Sequence, residues 1–234
     1  MRLDKYLVIN NHFESRNRAI NAIKEGLVFV DDRVAKASTK VDENSNIEVK
    51  KSKFYVSRAG QKLEGFLNRS RLNIEGRVAL DIGSSTGGFA QILLENGVAS
   101  IDCVDVGSNQ LHYSLRDNSK IEIFEEQDIR SFKSSKSYDL VTCDVSFISI
   151  LAIIDDIDRL SSSDIIILYK PQFEVGREVK RDRRGVVQND KAIELAKDNF
   201  MAHTIKLNWK LIEETPSILC GKEGNLEYIY HFYR

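Results

Sequence analysis

From residue 78 onward, charged side chains stand at or just beyond the ends of the apolar segments. Four aspartates, Asp81, Asp105, Asp128 and Asp144, and one lysine, Lys170, stand at or just beyond the ends of five short apolar segments. In an open sheet of parallel strands, the carboxyl ends of the strands meet at one edge, and ligands bind there. The sequence therefore predicts one site built from these five side chains.

The first of these acids leads into a turn rich in glycine and serine, GSSTGG at residues 83–88, before a helical pattern begins. Glycine lets the backbone approach a ligand closely, and a helix start offers free N–H groups. The turn does not fit the G-x-G-x-x-G pattern of dinucleotide sites, so a nucleoside is favoured over a pyrophosphate. A tight connection that binds nothing is the alternative.

Asp105 lies 24 residues after Asp81, about where an acid that binds ribose hydroxyls is expected. A glycine turn, an acid at the second strand end and an acid after the third together resemble the class I S-adenosylmethionine methyltransferases. The resemblance implies S-adenosylmethionine as cofactor, with Asp105 on its ribose and Asp128 on the adenine amino group. The residues expected at the cofactor are Asp81, Gly83, Ser84, Ser85, Gly87, Phe89, Asp105, Val106, Asp128 and Ile129.

Two lysines and two acids are candidates for the chemistry at the acceptor: Lys62, Asp144, Lys170 and Glu227. Transfer of a methyl group to a ribose 2′-hydroxyl requires removal of a proton that is bound tightly. A lysine beside a second lysine, partly removed from water, can lose its own proton and act as the base. Ordinary salt bridges are the alternative interpretation. Cys143 lies inside an apolar segment, which indicates a core residue rather than a nucleophile.

The elements that would position these residues alternate between strands and helices from residue 58 onward. Strands that alternate with helices predict an α/β fold with a mostly parallel, doubly wound sheet. The last two strands lack a full crossover helix, which predicts an antiparallel edge. The expected strands are 78–81, 101–106, 121–124, 138–144, 164–170, 209–214 and 226–232, and the main helices are 58–70, 89–96, 148–160 and 190–205.

The first 50 residues have a different pattern: helices at 4–11 and 15–25, a hairpin around Asp31-Asp32, and one more strand. Residues 1–62 hold 13 Lys and Arg against 8 Asp and Glu, although the whole chain has a net charge of −1. This asymmetry suggests a polyanionic partner, and a solvated basic face would look similar. The segment resembles the alpha-L RNA-binding domain of the ribosomal protein S4 type, with Asp31-Asp32 in place of the usual Asn-Gly. The candidate RNA contacts are Arg2, Lys5, Arg16, Arg18 and Lys24.

Longer motifs carry a resemblance over essentially the whole chain. The quartet matches the Lys-Asp-Lys-Glu pattern of the FtsJ-like ribose 2′-O-methyltransferases, and the segments DIGSSTGGF, VDVGSNQL and KPQFEVGR resemble the TlyA family. The resemblance implies 2′-O-methylation of a cytidine in ribosomal RNA, at a large-subunit site because the chain resembles the shorter form of the family. It divides the chain into an alpha-L domain (1–50), a linker (51–57) and a methyltransferase domain (58–234). The linker reads KFYV where longer members carry an Arg-Ala-Trp-Val-like tetrapeptide, which leaves a linker role in cofactor binding open.

A basic loop at 176–185 follows the fifth strand of the predicted sheet. We expect it to hold RNA phosphates beside the active site. A mobile surface loop is the alternative, and a loop that orders on binding would satisfy both. Its cations are Arg177, Lys180, Arg181, Arg183 and Arg184.

Composition excludes several classes of protein. The 234 residues are 42% hydrophobic and 29% charged, as in a folded globular protein. The three cysteines are far apart, so we expect a reducing compartment, the cytoplasm, and no structural zinc or other metal. The sequence has no signal-peptide pattern and no apolar segment long enough to span a membrane. A non-catalytic RNA-binding assembly factor is the second hypothesis, and a membrane-lytic haemolysin, which has little physical support, is the third.

Overall fold

The computed structural model describes residues 1–24, 26–50 and 53–234, and it forms two compact units, Met1–Phe54 and Tyr55–Arg234. The division falls inside the segment 51–57 that the sequence predicts as a linker. Lys51 and Ser52 of that linker lie outside the described residues, as does Glu25 at the end of the predicted second helix.

The first unit packs two helices against a three-stranded antiparallel sheet of order β2-β1-β3. Its core contains Leu3, Leu7, Ala19 and Val28, which are all completely buried. The hairpin turn at Asp31 and Asp32 has φ angles of 49° and 62°, a left-handed conformation that acidic residues tolerate better than most. The elements are α1 (Leu3–Ile9), α2 (Arg16–Lys24), β1 (Val28–Val30), β2 (Arg33–Val34) and β3 (Ile47–Val49).

The second unit is built on a seven-stranded sheet of order β6-β5-β4-β7-β8-β10-β9. Its strands are β4 (Val78–Ile82), β5 (Ser100–Val104), β6 (Ile121–Phe124), β7 (Tyr138–Cys143), β8 (Ser161–Tyr169), β9 (Lys210–Pro216) and β10 (Tyr228–Tyr233). Its helices are α3 (Arg58–Leu67), α4 (Gly88–Glu95), α5 (Tyr113–Arg116), α6 (Ile154–Leu160), α7 (Pro171–Glu174) and α8 (Asp190–Lys206). Strands β4 to β8 are parallel, and β10 pairs antiparallel with both β8 and β9. The predicted fold class, a mostly parallel sheet with an antiparallel edge, is confirmed.

Both faces of this sheet are buried, because alternate residues of each central strand enter different cores. Ile165 and Ile167 of β8 pack in one core with residues of α6 and α8. Ile166 and Leu168 pack in the other core with residues of α3 and α4. A strand that is buried on both faces has apolar residues at nearly every position. These strands could therefore be recognised in the sequence as continuous apolar segments.

Helices α3 and α4 approach each other closely at two glycines. A methyl group added at Gly88 would lie 2.1 Å from Ser57 Oγ and 2.9 Å from the backbone nitrogen of Gly60. Only glycine permits this approach without displacing backbone atoms. The contact fixes α3, which carries Lys62, against the start of α4.

The region after β7 differs from the prediction of one helix over 148–160. A short 3-10 helix, Ile150–Ala152, comes first, and α6 starts only at Ile154 because Ile153 has a φ of −133°, outside the helical range. The carboxylate of Glu174 on α7 accepts hydrogen bonds from Ser149 Oγ and from the Ile150 backbone nitrogen, 2.9 Å away, and so caps the 3-10 helix. Such a partner, distant in sequence, cannot be read from local periodicity.

The described residues also bear on the chemistry of cysteine, metals and membranes. Cys143 is completely buried, as predicted, and burial raises the pKa of its thiol, whereas Cys220 is exposed. Among the described residues, no three His, Cys, Asp or Glu side chains form a group that could hold a metal ion. In the same part of the chain, no helix combines the length and the apolar character that crossing a membrane requires.

Candidate active site

Two adjoining cavities open at the carboxyl ends of the parallel strands in the second unit. The smaller has a volume of about 350 Å³ and the larger about 810 Å³. They share a wall formed by Gly83, Ser85, Asp144, Ser146 and Phe147. Because they share these residues, the two cavities lie directly beside each other.

Asp105 lies in the wall of the smaller cavity and is held by the backbone. Its Oδ2 accepts a hydrogen bond of 2.8 Å from the Ser85 nitrogen, and its Oδ1 accepts one of 2.7 Å from the Gly107 nitrogen. Ser85 Oγ donates to Gln110 Oε1 at 3.1 Å, and Gln110 lines the same cavity. The carboxylate is therefore fixed in one orientation, with further lone pairs available to hydroxyl groups of a ligand.

The smaller cavity is also lined by three more of the residues predicted at the cofactor, Val106, Asp128 and Ile129. The carboxylate of Asp128 accepts three hydrogen bonds from the Arg130 guanidinium, at 2.6, 3.0 and 3.1 Å, and one of 2.9 Å from the Arg130 backbone nitrogen. The hydrogen bonds from Arg130 lower the pKa of Asp128 to about 2. Much of the acceptor capacity of Asp128 is thus used inside the protein.

The glycine turn supplies two residues, Gly83 and Ser85, of the wall that the cavities share. Gly83 has a φ of 76°, and a methyl group there would lie 2.8 Å from the Asp144 carbonyl oxygen. Ser84 and Phe89, both predicted at the cofactor, line the larger cavity instead of the smaller. Gly87 lines neither cavity; its φ of 89° lets the chain enter α4 beside Leu111 and Leu115.

Asp81, also predicted at the cofactor, lines neither cavity. It is completely buried in β4, where its Oδ1 accepts a hydrogen bond of 2.8 Å from Thr142 Oγ1 on the neighbouring strand. Burial raises the pKa of Asp81 to about 7, against the opposing effect of this hydrogen bond. The position before the turn suggested a ligand contact, but the alternation of side chains along β4 places this carboxyl group in the interior.

The predicted quartet comes together at the larger cavity as two pairs. Lys170 Nζ lies 2.6 Å from Asp144 Oδ1 and donates a hydrogen bond of 2.9 Å to Ser146 Oγ. Lys62 Nζ forms an ion pair with Glu227 Oε2. All four residues line the cavity, and both lysines are buried. Each lysine thus contacts a carboxylate of its own, as in the alternative interpretation of salt bridges, but both partners belong to the predicted quartet.

Several further residues of this site were not predicted, although their positions lie inside the motifs. Gln172 Nε2 donates a hydrogen bond of 3.0 Å to Glu227 Oε1. Phe147 has a φ of 66°, is 91% exposed, and lies with its ring 5.2 Å from that of Phe173. Gln172 is part of the segment KPQ, and the two phenylalanines directly follow CDVS and KPQ. Their nearness in sequence to the predicted aspartate and lysine of these segments was the available signal.

The basic loop divides into residues with different surroundings. The Arg181 guanidinium donates hydrogen bonds to four backbone carbonyls, those of residues 172, 176, 177 and 179, at 2.7–3.2 Å. It therefore holds the loop together and has little capacity left for RNA. Arg184 lines the larger cavity and is exposed, whereas Arg177, Lys180 and Arg183 are exposed but do not line it.

The candidate RNA contacts of the first unit lie on its helices and just before α1. Arg2 and Arg16 form ion pairs of 3.0 and 2.6 Å with Asp4, which is completely buried. The hydrogen bonds from these two arginines hold the pKa of Asp4 well below its usual range. Arg18 pairs with Glu14 at 3.1 Å, and the remaining candidates, Lys5 and Lys24, are exposed.

Two known protein families match this chain. Residues 55–234 match the model of the FtsJ-like methyltransferases, and residues 1–47 match that of the S4 domain. The chain belongs to the TlyA family of FtsJ-like methyltransferases. It is 44% identical to the 23S rRNA (cytidine-2′-O)-methyltransferase TlyA of Campylobacter jejuni, over 93% of this chain and 94% of that protein.

Two further proteins are similar over nearly the whole chain. Hemolysin A of Brachyspira hyodysenteriae is 37% identical over 99% of both proteins. The solved structure of a hemolysin-type protein from Streptococcus thermophilus superposes with a TM-score of 0.74 at 30% identity, covering 100% of this chain and 88% of the other. The family resemblance drawn from the sequence motifs is confirmed.

Proposed function

We propose that this protein transfers a methyl group from S-adenosylmethionine to the 2′-hydroxyl of a cytidine in ribosomal RNA. The observation that carries the proposal is the quartet of Lys62, Asp144, Lys170 and Glu227 in one cavity that shares a wall with a nucleoside-sized cavity. An assembly factor that only binds RNA has no need of this quartet. A large-subunit target is favoured by the similarity to the relative named for 23S rRNA.

The smaller cavity has the donor set that the nucleoside part of S-adenosylmethionine requires. The fixed carboxylate of Asp105 would accept hydrogen bonds from the ribose hydroxyls. Val106 and Ile129 would contact the faces of the adenine ring, and the lone pairs of Asp128 not used by Arg130 would accept from the adenine amino group. When bound, the cofactor supplies an electrophilic methyl group on a positively charged sulfur.

Lys170 is the base in this proposal. Its Nζ would take the proton of the 2′-hydroxyl, which leaves that oxygen able to accept the methyl group as the methyl–sulfur bond breaks and its electron pair stays on the sulfur. The ammonium ion that results is held by Asp144 Oδ1 and Ser146 Oγ, which are already in contact with Nζ. Lys62, held by Glu227, would donate a hydrogen bond to the acceptor oxygen and orient it.

RNA would be held by several parts of the chain. Phe147 and Phe173 present aromatic faces on which an unstacked base can pack. The S4 domain would bind structured RNA through the arginines and lysines on and beside its helices. The domain bounds of 1–50 and 58–234 stay a prediction from the sequence. Ribosomal RNA as the partner would correspond to a cytoplasmic location.

The proposal is tested with purified protein, labelled S-adenosylmethionine and ribosomal subunits that lack the modification. We expect transfer to one cytidine of the large-subunit RNA, located by mapping of 2′-O-methyl groups. Lys170→Met, which keeps the apolar stem, should lower the rate by at least ~100-fold because the base is lost, while cofactor affinity measured by calorimetry stays within about threefold.

Lys197→Met is the matched control, because Lys197 also pairs with a carboxylate, Glu214 at 2.7 Å, but lines neither cavity. It should retain the wild-type rate. Full transfer by Lys170→Met, or a methyl group on a base instead of a ribose, would refute the mechanism. Specific RNA binding without cofactor binding would favour an assembly factor, and lysis of cells that survives Lys170→Met would favour a membrane-lytic protein.

A further inference from the structure

Two loops form the rim of the larger cavity on the side of β10. One is the basic loop together with the two residues that follow it, 186 and 187. It contributes Arg184 and Gly185 to the cavity wall. The loop between β9 and β10, residues 217–227, contributes Lys222, Glu223 and the catalytic candidate Glu227. We call this second loop the hairpin loop.

Asn225 is the side chain that joins the two loops. It belongs to the hairpin loop, is only 6% exposed, and makes hydrogen bonds to the basic loop with both ends of its amide. Its Oδ1 accepts from the Val187 nitrogen at 3.0 Å, and its Nδ2 donates to the Gly185 carbonyl at 3.2 Å. Its own carbonyl accepts from the Gly221 nitrogen at 2.8 Å, which closes the hairpin loop around Lys222.

The basic loop is also braced from within. Arg181 holds four of its neighbouring carbonyls, as described above, and the Asp182 carboxylate accepts hydrogen bonds from the backbone nitrogens of Arg184 and Val186 at 2.8 and 2.9 Å. The loop is therefore preorganised in the protein without RNA. The sequence had left open whether it is a mobile surface segment.

The charge that remains at this rim is positive. Six cationic and three anionic side chains line the larger cavity. Lys62 and Lys170 each contact a carboxylate, Glu227 and Asp144 respectively, so the unpaired positive charge lies on the remaining cations. These are Arg58, Arg181, Arg184 and Lys222, opposed by Glu223 alone.

Arg184 and Lys222 are the exposed cations of the two joined loops that also line the larger cavity. Within the described part of the chain, Arg184 has one ion-pair partner, Asp182 at 3.6 Å, and its side chain is 72% exposed. Arg58, by contrast, donates a hydrogen bond of 2.7 Å to the Cys220 carbonyl and so supports the hairpin loop from α3. The two exposed cations thus project from two segments that Asn225 and Arg58 hold in place.

We propose that Arg184 and Lys222 together bind a backbone phosphate of the acceptor RNA, and that Asn225 is the positioning residue that joins their loops into one site. The inference rests on the proposed function, since it names the part of the substrate that this rim contacts. A phosphate flanks the 2′-hydroxyl of every internal ribonucleotide. A cation pair that binds it would turn the ribose toward Lys62 and Lys170.

The test compares Arg184→Ala, Lys222→Ala, Asn225→Ala and their combinations in the full chain. Each charge variant should raise KM for the ribosomal subunit by about threefold or more and reduce the slope of log affinity against log salt by about one, because one phosphate contact is lost. Asn225→Ala should raise KM about as much as both charge changes together. Cofactor affinity should be unchanged in all three.

A double-mutant cycle separates positioning from general structural damage. When Arg184 and Lys222 are already alanine, the additional change Asn225→Ala should raise KM by less than about twofold, because the groups it positions are gone. Asn189→Ala is the matched control: Asn189 caps α8 by accepting from the Ala192 nitrogen at 3.0 Å, outside both cavities. It should lower thermal stability without changing KM, and Lys210→Ala, an exposed cation at the start of β9, should change neither KM nor the salt slope.

Two results would overturn the inference. One is a full effect of Asn225→Ala in the doubly substituted protein. The other is a loss of thermal stability in Asn225→Ala with unchanged KM and salt slope. If the wild-type protein transfers no methyl group at all, the proposed function fails instead. The phosphate site is then judged by the direct affinity of the same variants for ribosomal subunits, with the same expected order of effects.

Discussion

Replacement of Asp81 by asparagine should change how the stability of the methyltransferase domain depends on pH. This carboxyl group is completely buried, and burial raises its pKa to about 7. In the unfolded chain its pKa returns to the ordinary value near 3.8. The folded state therefore binds a proton more tightly than the unfolded state, and stability from this group is present below about pH 4 and lost as the pH rises through 7.

The magnitude follows from the two pKa values. Between about pH 4.5 and about pH 7.5, this single group should reduce the free energy of unfolding of the wild-type protein by about 3 kcal/mol. Asp81→Asn carries no titrating group at this position. Its free energy of unfolding should lack this decline, whatever constant cost the amide adds by its own burial.

Urea unfolding at several pH values measures the difference. Trp209 is the one tryptophan of the chain and is buried in the second unit, so its fluorescence follows that unit. Asp164→Asn provides a contrast. Burial acts to raise the pKa of Asp164, but hydrogen bonds from His231, Arg77 and Ser163 outweigh it and lower the pKa to about 2. Stability from Asp164 is lost only as the pH falls toward 2, so this variant should show the wild-type decline between pH 4.5 and 7.5. Equal pH profiles of Asp81→Asn and wild type would refute the reasoning.

Two further predictions concern packing and the smaller cavity. Gly88→Ala should lower the free energy of unfolding of the domain by about 1–3 kcal/mol in the same fluorescence assay, because the new methyl group meets the Gly60 backbone. Gly65→Ala on α3 is the control. Its methyl group would meet only the side chain of Ile218, which can move, so the loss of stability should be smaller. Arg130→Ala should return the pKa of Asp128 from about 2 toward its ordinary value near 3.8, measured by carboxyl NMR titration, and an unchanged pKa would show that Arg130 is not its cause.

The strands and the quartet could be predicted because they leave local signals. Segments buried on both faces of the sheet are continuous apolar runs, and the acids that follow them mark strand ends. Lys62, Asp144, Lys170 and Glu227 stand in motifs whose spacing matches a known family, so their meeting at one cavity was foreseen. Their roles, like the RNA contacts, stay predictions until the variants are assayed.

What could not be predicted depends on partners distant in sequence. Asp81 and Asp105 both end strands, but one is buried against Thr142 and the other faces the cavity. Arg181 looked equivalent to Arg184 in the basic loop until its four carbonyl partners were known. A sequence pattern identifies a charged side chain, but only the fold shows whether its hydrogen-bonding groups are already bound to the neighbouring backbone.

The backbone of Phe147 has a consequence for how this domain can evolve. A φ of 66° is strained for an aromatic residue, at a cost of order 1–3 kcal/mol, and its ring gains little from burial because it is 91% exposed. Selection for stability alone would replace such a residue by glycine. Its presence indicates that stability has been given up at this position for the shape of the cavity wall. We therefore expect a substitution that removes the strain, such as Phe147→Gly, to stabilise the protein and to lower its activity.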